Sequence, residues 1–204
     1  MDSEQHWNRV YQTKPSDAVS WYAPHLARSL ELIDEAGLAP TAALIDVGGG
    51  ASTLPADLLD KGFSNITVVD ISSAAVAAAR VQLGERADAV KWIVGDVTRV
   101  ALPESAFDLW HDRAVFHFLT DEADRQAYLG QVLRSLKPGG RIIVATFGPK
   151  GPERCSGLEV IRYDDEALLR QFGSLFQRLH CIEDRHTTPW GSEQEFVYCL
   201  CRRR

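Results

Sequence analysis

The stretch Ala43-Leu44-Ile45-Asp46-Val47-Gly48-Gly49-Gly50-Ala51-Ser52 constrains this chain more than any other. An apolar run of this length reads as a strand buried on both faces, and three glycines follow it at once. Glycine has no Cβ, so the backbone there turns sharply and admits a ligand closer to main chain than any other residue allows. Without a ligand this is a strand entering a helix through a tight turn. With one, it is the first strand-loop-helix unit of a doubly wound nucleotide-binding sheet.

Later segments repeat the pattern. Ile66-Thr67-Val68-Val69-Asp70 is a second apolar strand closed by an acid, about 20 residues after the glycines, where such folds hold a ribose by its hydroxyls. Val90 to Val94 reads as a third strand running into Gly95-Asp96-Val97, and Phe107 to Trp110 as a fourth. Leu136-Lys137-Pro138-Gly139-Gly140-Arg141-Ile142-Ile143-Val144 reads as a helix end, a tight turn and a fifth strand. Counted from Gly48, the dinucleotide pattern G-x-G-x-x-G needs a glycine where Thr53 stands. A pyrophosphate site is therefore not evident, and a nicotinamide-dependent oxidoreductase is the weaker reading.

Taken together, these motifs resemble the class I, seven-strand S-adenosylmethionine (SAM) methyltransferases, from Ala43 to the C-terminus. The resemblance implies an α/β fold: a doubly wound, Rossmann-like, mostly parallel seven-stranded sheet whose last strand is antiparallel beside strand five. It implies SAM as cofactor. Gly48, Gly49 and Gly50 would form the binding loop, with Ser52 where the family has its third glycine. Asp46 would lie near the cationic amino-acid end, Asp70 with Ile71 at the ribose, Asp96 with Val97 at the adenine, and His111 against the methionine end. The segment Asp46 to Arg80 is similar to protein-lysine methyltransferases of the elongation factor 1A and citrate synthase type, whereas His111 to Leu119 is closer to bacterial small-molecule enzymes. The expected acceptor is an O, N or S nucleophile on a small molecule. A protein lysine is the alternative, and a non-catalytic SAM-binding protein the third reading.

Methyl transfer from a sulfonium is an in-line displacement with an excellent leaving group, so alignment, water exclusion and, for an acidic acceptor, proton removal are what a protein adds. In a doubly wound sheet this happens at the carboxyl ends of the strands. His111, Asp112 and Arg113, read as the exit of strand four, are the catalytic candidates. An imidazole titrates near working pH, a carboxylate attracts a cationic amine, and an arginine fork grips an acceptor carboxylate. His117 is expected to pack or face solvent in a following helix. No metal is expected, because no acid-amide pair follows strand five to join Asp112 around a magnesium.

The length, 204 residues, suits one domain. Residues 1–40 read as a helical cap rich in aromatic residues (Trp7, Tyr11, Trp21, Tyr22), which either folds over the cofactor or covers the sheet edge, and residues 41–204 as the Rossmann-like core. The net charge of -6, with no basic stripe, argues against nucleic acid as a partner. No apolar run approaches the roughly 20 residues a bilayer requires, so no membrane partner is expected. Met1 to His6 is polar rather than leader-like, so a cytoplasmic location is expected. The four cysteines read as reduced thiols, with Cys199 and Cys201 sharing a strand face and Cys155 within reach of the acceptor pocket. Helices are expected over Ser29–Ala36, Ser72–Arg86, Thr120–Leu136 and Asp164–Phe172, and late strands over Phe176–Asp184 and Glu195–Cys201. The oligomeric state stays open.

Overall fold

A computed structural model describes residues 3–204. Met1 and Asp2, which begin the polar stretch discussed above, lie outside the described residues. Seven strands make one sheet: β1 Ala43–Val47, β2 Asn65–Asp70, β3 Val90–Val94, β4 Phe107–Arg113, β5 Leu136–Phe147, β6 Phe176–Thr187 and β7 Glu193–Arg203. Their spatial order is β3-β2-β1-β4-β5-β7-β6. The first five run parallel, and β7 is inserted antiparallel between β5 and β6. The strand order reverses between β1 and β4, which opens a crevice at their carboxyl ends.

Helices α1 Ser3–Thr13, α2 Ala27–Glu35, α3 Leu54–Asp60, α4 Ser73–Leu83, α5 Glu122–Ser135 and α6 Asp165–Phe172 flank the sheet. Every residue of β1 is buried, and its side chains alternate between two cores: Ala43, Ile45 and Val47 enter one, Leu44 the other. That is why the strand reads as a continuous apolar run rather than an alternating one. The Ser72 hydroxyl caps α4 by accepting from the Ala75 N–H at 3.1 Å, and the Asp164 carboxylate caps α6 through the Ala167 N–H at 2.7 Å. Gly84, at φ +59°, ends α4 in a conformation other residues resist.

Several boundaries differ from the sequence reading. Strand β4 continues to Arg113, so His111, Asp112 and Arg113 lie on the strand and not beyond it. The reason is register: Asp46 pairs with His111 and Val47 with Asp112 across β1, and the ladder to β5 holds to Arg113 opposite Ala145. A polar triplet in a central strand carries no local signal that the ladder continues. The late strands are longer at their far ends than Asp184 and Cys201, because β6 and β7 extend each other as a hairpin. His117 sits in a short 3-10 turn, Phe116–Phe118, and is fully buried. The expectation of four reduced thiols is also corrected. The hairpin register sets Cys181 directly opposite Cys199 with 4.2 Å between Cα atoms, and the two are joined as a disulfide. Cys155 and Cys201 remain free and buried. Cross-strand register is a tertiary fact that cysteine spacing does not report.

Candidate active site

The glycine loop is shaped by what a side chain would strike. Gly48 stands at φ +69°, and a Cβ there would come within 2.1 Å of Val115 Cγ2. A Cβ on Gly50 would lie 2.7 Å from both Ala75 Cβ and Asp70 Oδ2, and one on Gly49 would meet the Asp46 carboxylate. The loop is pinned by the Gly48 N–H donating to the Val69 carbonyl at 2.7 Å and the Gly50 N–H donating to Asp70 Oδ2 at 3.0 Å. Gly48→Ala combines left-handed backbone strain with overlap on Val115, together about 2–5 kcal/mol. Its melting temperature is expected to fall by roughly 5–15 °C; a melting curve unchanged from wild type would show that the loop is not held this way.

Asp70 closes β2 with both oxygens engaged, since the Ser72 N–H donates to Oδ1 at 2.7 Å. Burial pushes its carboxyl up to about 6, against the pull of the Ser72 and Gly50 amides. Beside it, Asp96 accepts from the Thr98 N–H at 2.9 Å and the Thr98 hydroxyl at 2.7 Å, fixing the turn after β3.

Strand alternation decides the fate of the three polar residues at the end of β4. Asp112 faces α5, where Tyr128 Oη donates to it at 2.7 Å and the Val115 and Phe116 amides donate at 2.9 and 3.1 Å. It is completely buried, and burial pushes it up to about 6. His111 faces the opposite side, with Nδ1 2.7 Å from Asp46 Oδ1 and Nε2 2.9 Å from Ser29 Oγ of α2. Both ring nitrogens are therefore occupied. Arg113 shares that face, but its guanidinium reaches open space.

Two adjoining cavities occupy the crevice. The larger, about 500 Å³, is lined by Gly48, Asp70, Ile71, Asp96 and Val97 on the β1–β3 side and by Arg113, Phe118 and Cys155 on the other. A small recess of about 40 Å³ beside it is bordered by Asp46, Gly49, His111 and Arg113. Asp46 Oδ2 there is buried with no hydrogen-bond partner among the described residues, an acceptor of the kind that calls for a donor.

Helix α1 roofs the larger cavity. Asn8 Oδ1 accepts from the Ser72 hydroxyl at 2.9 Å and the Ala74 N–H at 3.1 Å, latching α1 to the start of α4. Trp7 stacks edge-on with Trp21 and Phe118, and Trp21 Nε1 donates to Tyr11 Oη at 3.2 Å. These rings line the cavity. Ala114, at φ +71°, turns the chain off β4 and lines the same wall, a left-handed conformation that non-glycine residues adopt at a cost.

Of the residues expected to do chemistry, only Arg113 lines the larger cavity; His111 borders the recess and Asp112 lies behind the strand. The structure brings Asp70, Ile71, Asp96, Val97 and Gly48 to one cavity, and Asp46 with Gly49 to the recess. Gly50 lies beneath the loop, against Asp70 and Ala75. Sequence reasoning missed Asn8, Ser29, Tyr128 and Thr98. For Asn8, Ser29 and Tyr128 the partners lie 16 to 82 residues away, which no local pattern reports, whereas Thr98 two residues after Asp96 was a local signal left unread. Among the described residues, no group of three or more His, Cys, Asp or Glu is arranged to hold a metal ion, and no helix is long and apolar enough to cross a membrane.

A family model described as a methyltransferase domain matches residues 45–144. The eEF1A lysine and N-terminal methyltransferase homolog of Drosophila melanogaster is 28% identical over 146 residues, covering 68% of this chain and 21% of that protein. This chain thus spans about a fifth of the length of such relatives. The demethylmenaquinone methyltransferase of Beutenbergia cavernae is 30% identical over 115 residues, covering 56% of this chain and 45% of that protein. Among solved structures, the Burkholderia thailandensis 1,6-didemethyltoxoflavin-N1-methyltransferase, with its substrate and S-adenosylhomocysteine bound, superposes with a TM-score of 0.74 at 20% identity. That match covers 98% of this chain and 86% of the other, and it shows the shared fold.

Proposed function

We propose that this chain is a SAM-dependent methyltransferase that moves a methyl group to an O, N or S atom of a small-molecule acceptor held beneath α1, a reading supported by the methyltransferase-domain match over residues 45–144. The observation that carries this reading is the roofed cavity of about 500 Å³, a size that suits small ligands. The residues present fit the cofactor. Asp46 Oδ2 is a buried acceptor without a donor among the described residues, the loop is a cradle that any Cβ would fill, and Asp70 lines the cavity at the tip of β2. Asp46 would take the ammonium, Asp70 with Ile71 the ribose, and Asp96 with Val97 the adenine.

When bound, SAM supplies a methyl group on a positively charged sulfur that departs as a neutral thioether. The chain's part is to orient and to exclude water. Trp7, Tyr11, Trp21 and Phe118 line the acceptor space and displace water from part of it, which strengthens charge interactions inside. Among the described residues, no histidine lines the large cavity; besides Asp70 and Asp96 its titratable lining includes Asp124, Glu159 and Cys155. The Cys155 thiol is pushed up to about 11 by burial, and His117, pushed down to about 3 by burial, is behind the wall with Nδ1 accepting from the Phe147 N–H at 3.2 Å. The acceptor atom arrives as a competent nucleophile, or loses its proton to water or to a lining carboxylate such as Asp124 or Glu159. His111 and Asp112 hold structure: His111 orients Asp46, and Asp112 anchors the turn after β4.

A second reading is methylation of a protein lysine, favoured by the likeness to the eEF1A lysine and N-terminal methyltransferase homolog. Incubation with methyl-labelled SAM and a cell extract divided by size separates the two. Label is expected in the low-mass fraction. Label confined to protein would replace the proposal by the lysine reading, and binding of SAM with no label transferred would make this a non-catalytic binder.

A further inference from the structure

Arg113 carries a charge that the fold leaves without a counter-ion. From the end of β4 its side chain leans across β5 to β7, where Nε donates to Tyr198 Oη at 2.9 Å and Cζ stands 4.7 Å from the Phe196 ring centroid. Nη1 donates to the Trp21 carbonyl, also at 2.9 Å. All three partners are neutral. Among the described residues it has no carboxylate at ion-pair distance, and Nη2 makes no hydrogen bond. The titratable groups whose electrostatics it influences, Cys155 on a short two-stranded hairpin (Arg154–Cys155 with Leu158–Glu159) that follows β5, His117 after β4 and His186 on β6, are all held neutral by burial.

A guanidinium has five N–H donors, and two are in use. The remaining Nη1 and Nη2 hydrogens form a planar fork, the geometry that matches a carboxylate end-on. A half-buried cation without a counter-charge is costly, and a cavity anion relieves that cost. Two carboxylates compete for this fork, the cofactor's and the acceptor's, and the test below tells them apart. Arg113 borders both the recess that holds Asp46 and the larger cavity with Trp7 and Phe118; its guanidinium leans to the β7 side, against Tyr198, Phe196 and the Trp21 carbonyl, which favours the acceptor.

We propose that Arg113 anchors the acceptor, receiving a carboxylate of a small aromatic acid through Nη1 and Nη2 while Trp7, Trp21 and Phe118 pack its ring. This rests on the small-molecule reading above and narrows it to anionic acceptors.

The test uses the whole chain saturated with S-adenosylhomocysteine and titrated by calorimetry with benzoate, phenylacetate and indole-3-acetate, each against its uncharged amide. At least one carboxylate is expected to bind about 30-fold or more tightly than its amide, and Arg113→Gln to abolish that preference. Arg113→Lys is expected to retain a weaker preference, because it keeps the charge and loses the fork. The carboxylate-amide comparison needs no variant, so a misfolded Arg113→Gln does not blunt it. Equal binding of acids and amides, or no binding of either, overturns the proposal. So does an Arg113→Gln protein that loses affinity for S-adenosylhomocysteine but not for 5′-methylthioadenosine, which assigns the fork to the cofactor's carboxylate. Failure of wild type to bind S-adenosylhomocysteine at all would instead strike the methyltransferase reading.

Discussion

Replacing Asp112 by alanine is expected to cost about 3–5 kcal/mol of folding stability, the range for stripping one partner from a buried charged network. Its carboxylate is the acceptor for the Tyr128 hydroxyl and for the Val115 and Phe116 amides, and Trp110 Nε1 donates to the same Tyr128 oxygen at 2.9 Å. Alanine leaves three buried donors with nowhere to point. For a chain of this size the melting temperature should fall by roughly 6–20 °C, while the fraction that folds keeps its affinity for S-adenosylhomocysteine. Full stability with turnover abolished would restore Asp112 to a chemical role. The pH dependence has a definite sign. Burial raises this carboxyl from 3.8 to about 6, so its contribution to stability is complete below about pH 4 and is lost as pH rises through 6. Asparagine does not titrate. The stability deficit of Asp112→Asn relative to wild type should therefore be smaller at pH 7 than at pH 5, as read from denaturant unfolding.

Asp70→Asn is expected to weaken S-adenosylhomocysteine binding about 100-fold at pH 7.5, because charge-assisted hydrogen bonds to hydroxyls contribute about 1.5–3 kcal/mol each. Asparagine has nearly the same volume but no charge, and its amide nitrogen would confront the Gly50 or Ser72 N–H that now donates to the carboxylate. The raised carboxyl, about 6 through burial, adds a second signature. In the free protein roughly nine in ten Asp70 side chains would be protonated at pH 5, so wild-type affinity should fall as pH drops through 6, and that of Asp70→Asn should stay flat over the same range. Titration calorimetry across pH reads both effects. Unaltered affinity in the variant would remove Asp70 from the cofactor site.

Much of the fold was legible because its signals are local. A buried parallel strand must be apolar at every position, a loop touching the next strand must lack Cβ atoms, and a helix begins best behind a hydroxyl or carboxylate, so β1, the triple glycine, Ser72 and Asp164 announce themselves. The alternation Phe196, Tyr198, Leu200 likewise placed those side chains on one face, where all three enter the same core. The end of β4 was not legible. A histidine, an aspartate and an arginine in succession read as the chemical exit of strand four, and the fold instead keeps them on the strand and buries two of them, with partners such as Tyr128 and Ser29, 16 and 82 residues away. The disulfide escaped for the same reason, since Cys181 and Cys199 meet only when the hairpin is in register.

By itself, then, the sequence determined the sheet's strands, the glycine loop and the carboxylates at successive strand tips, because each depends on residues adjacent in the chain. Tertiary structure alone decided which of His111, Asp112 and Arg113 faces open space. Strand alternation sends neighbours to opposite faces, and whether a face holds a helix or a cavity is set by elements distant in sequence. Asp112 met Tyr128, His111 met Ser29, and Arg113 met the neutral Tyr198 hydroxyl and Trp21 carbonyl at the cavity wall.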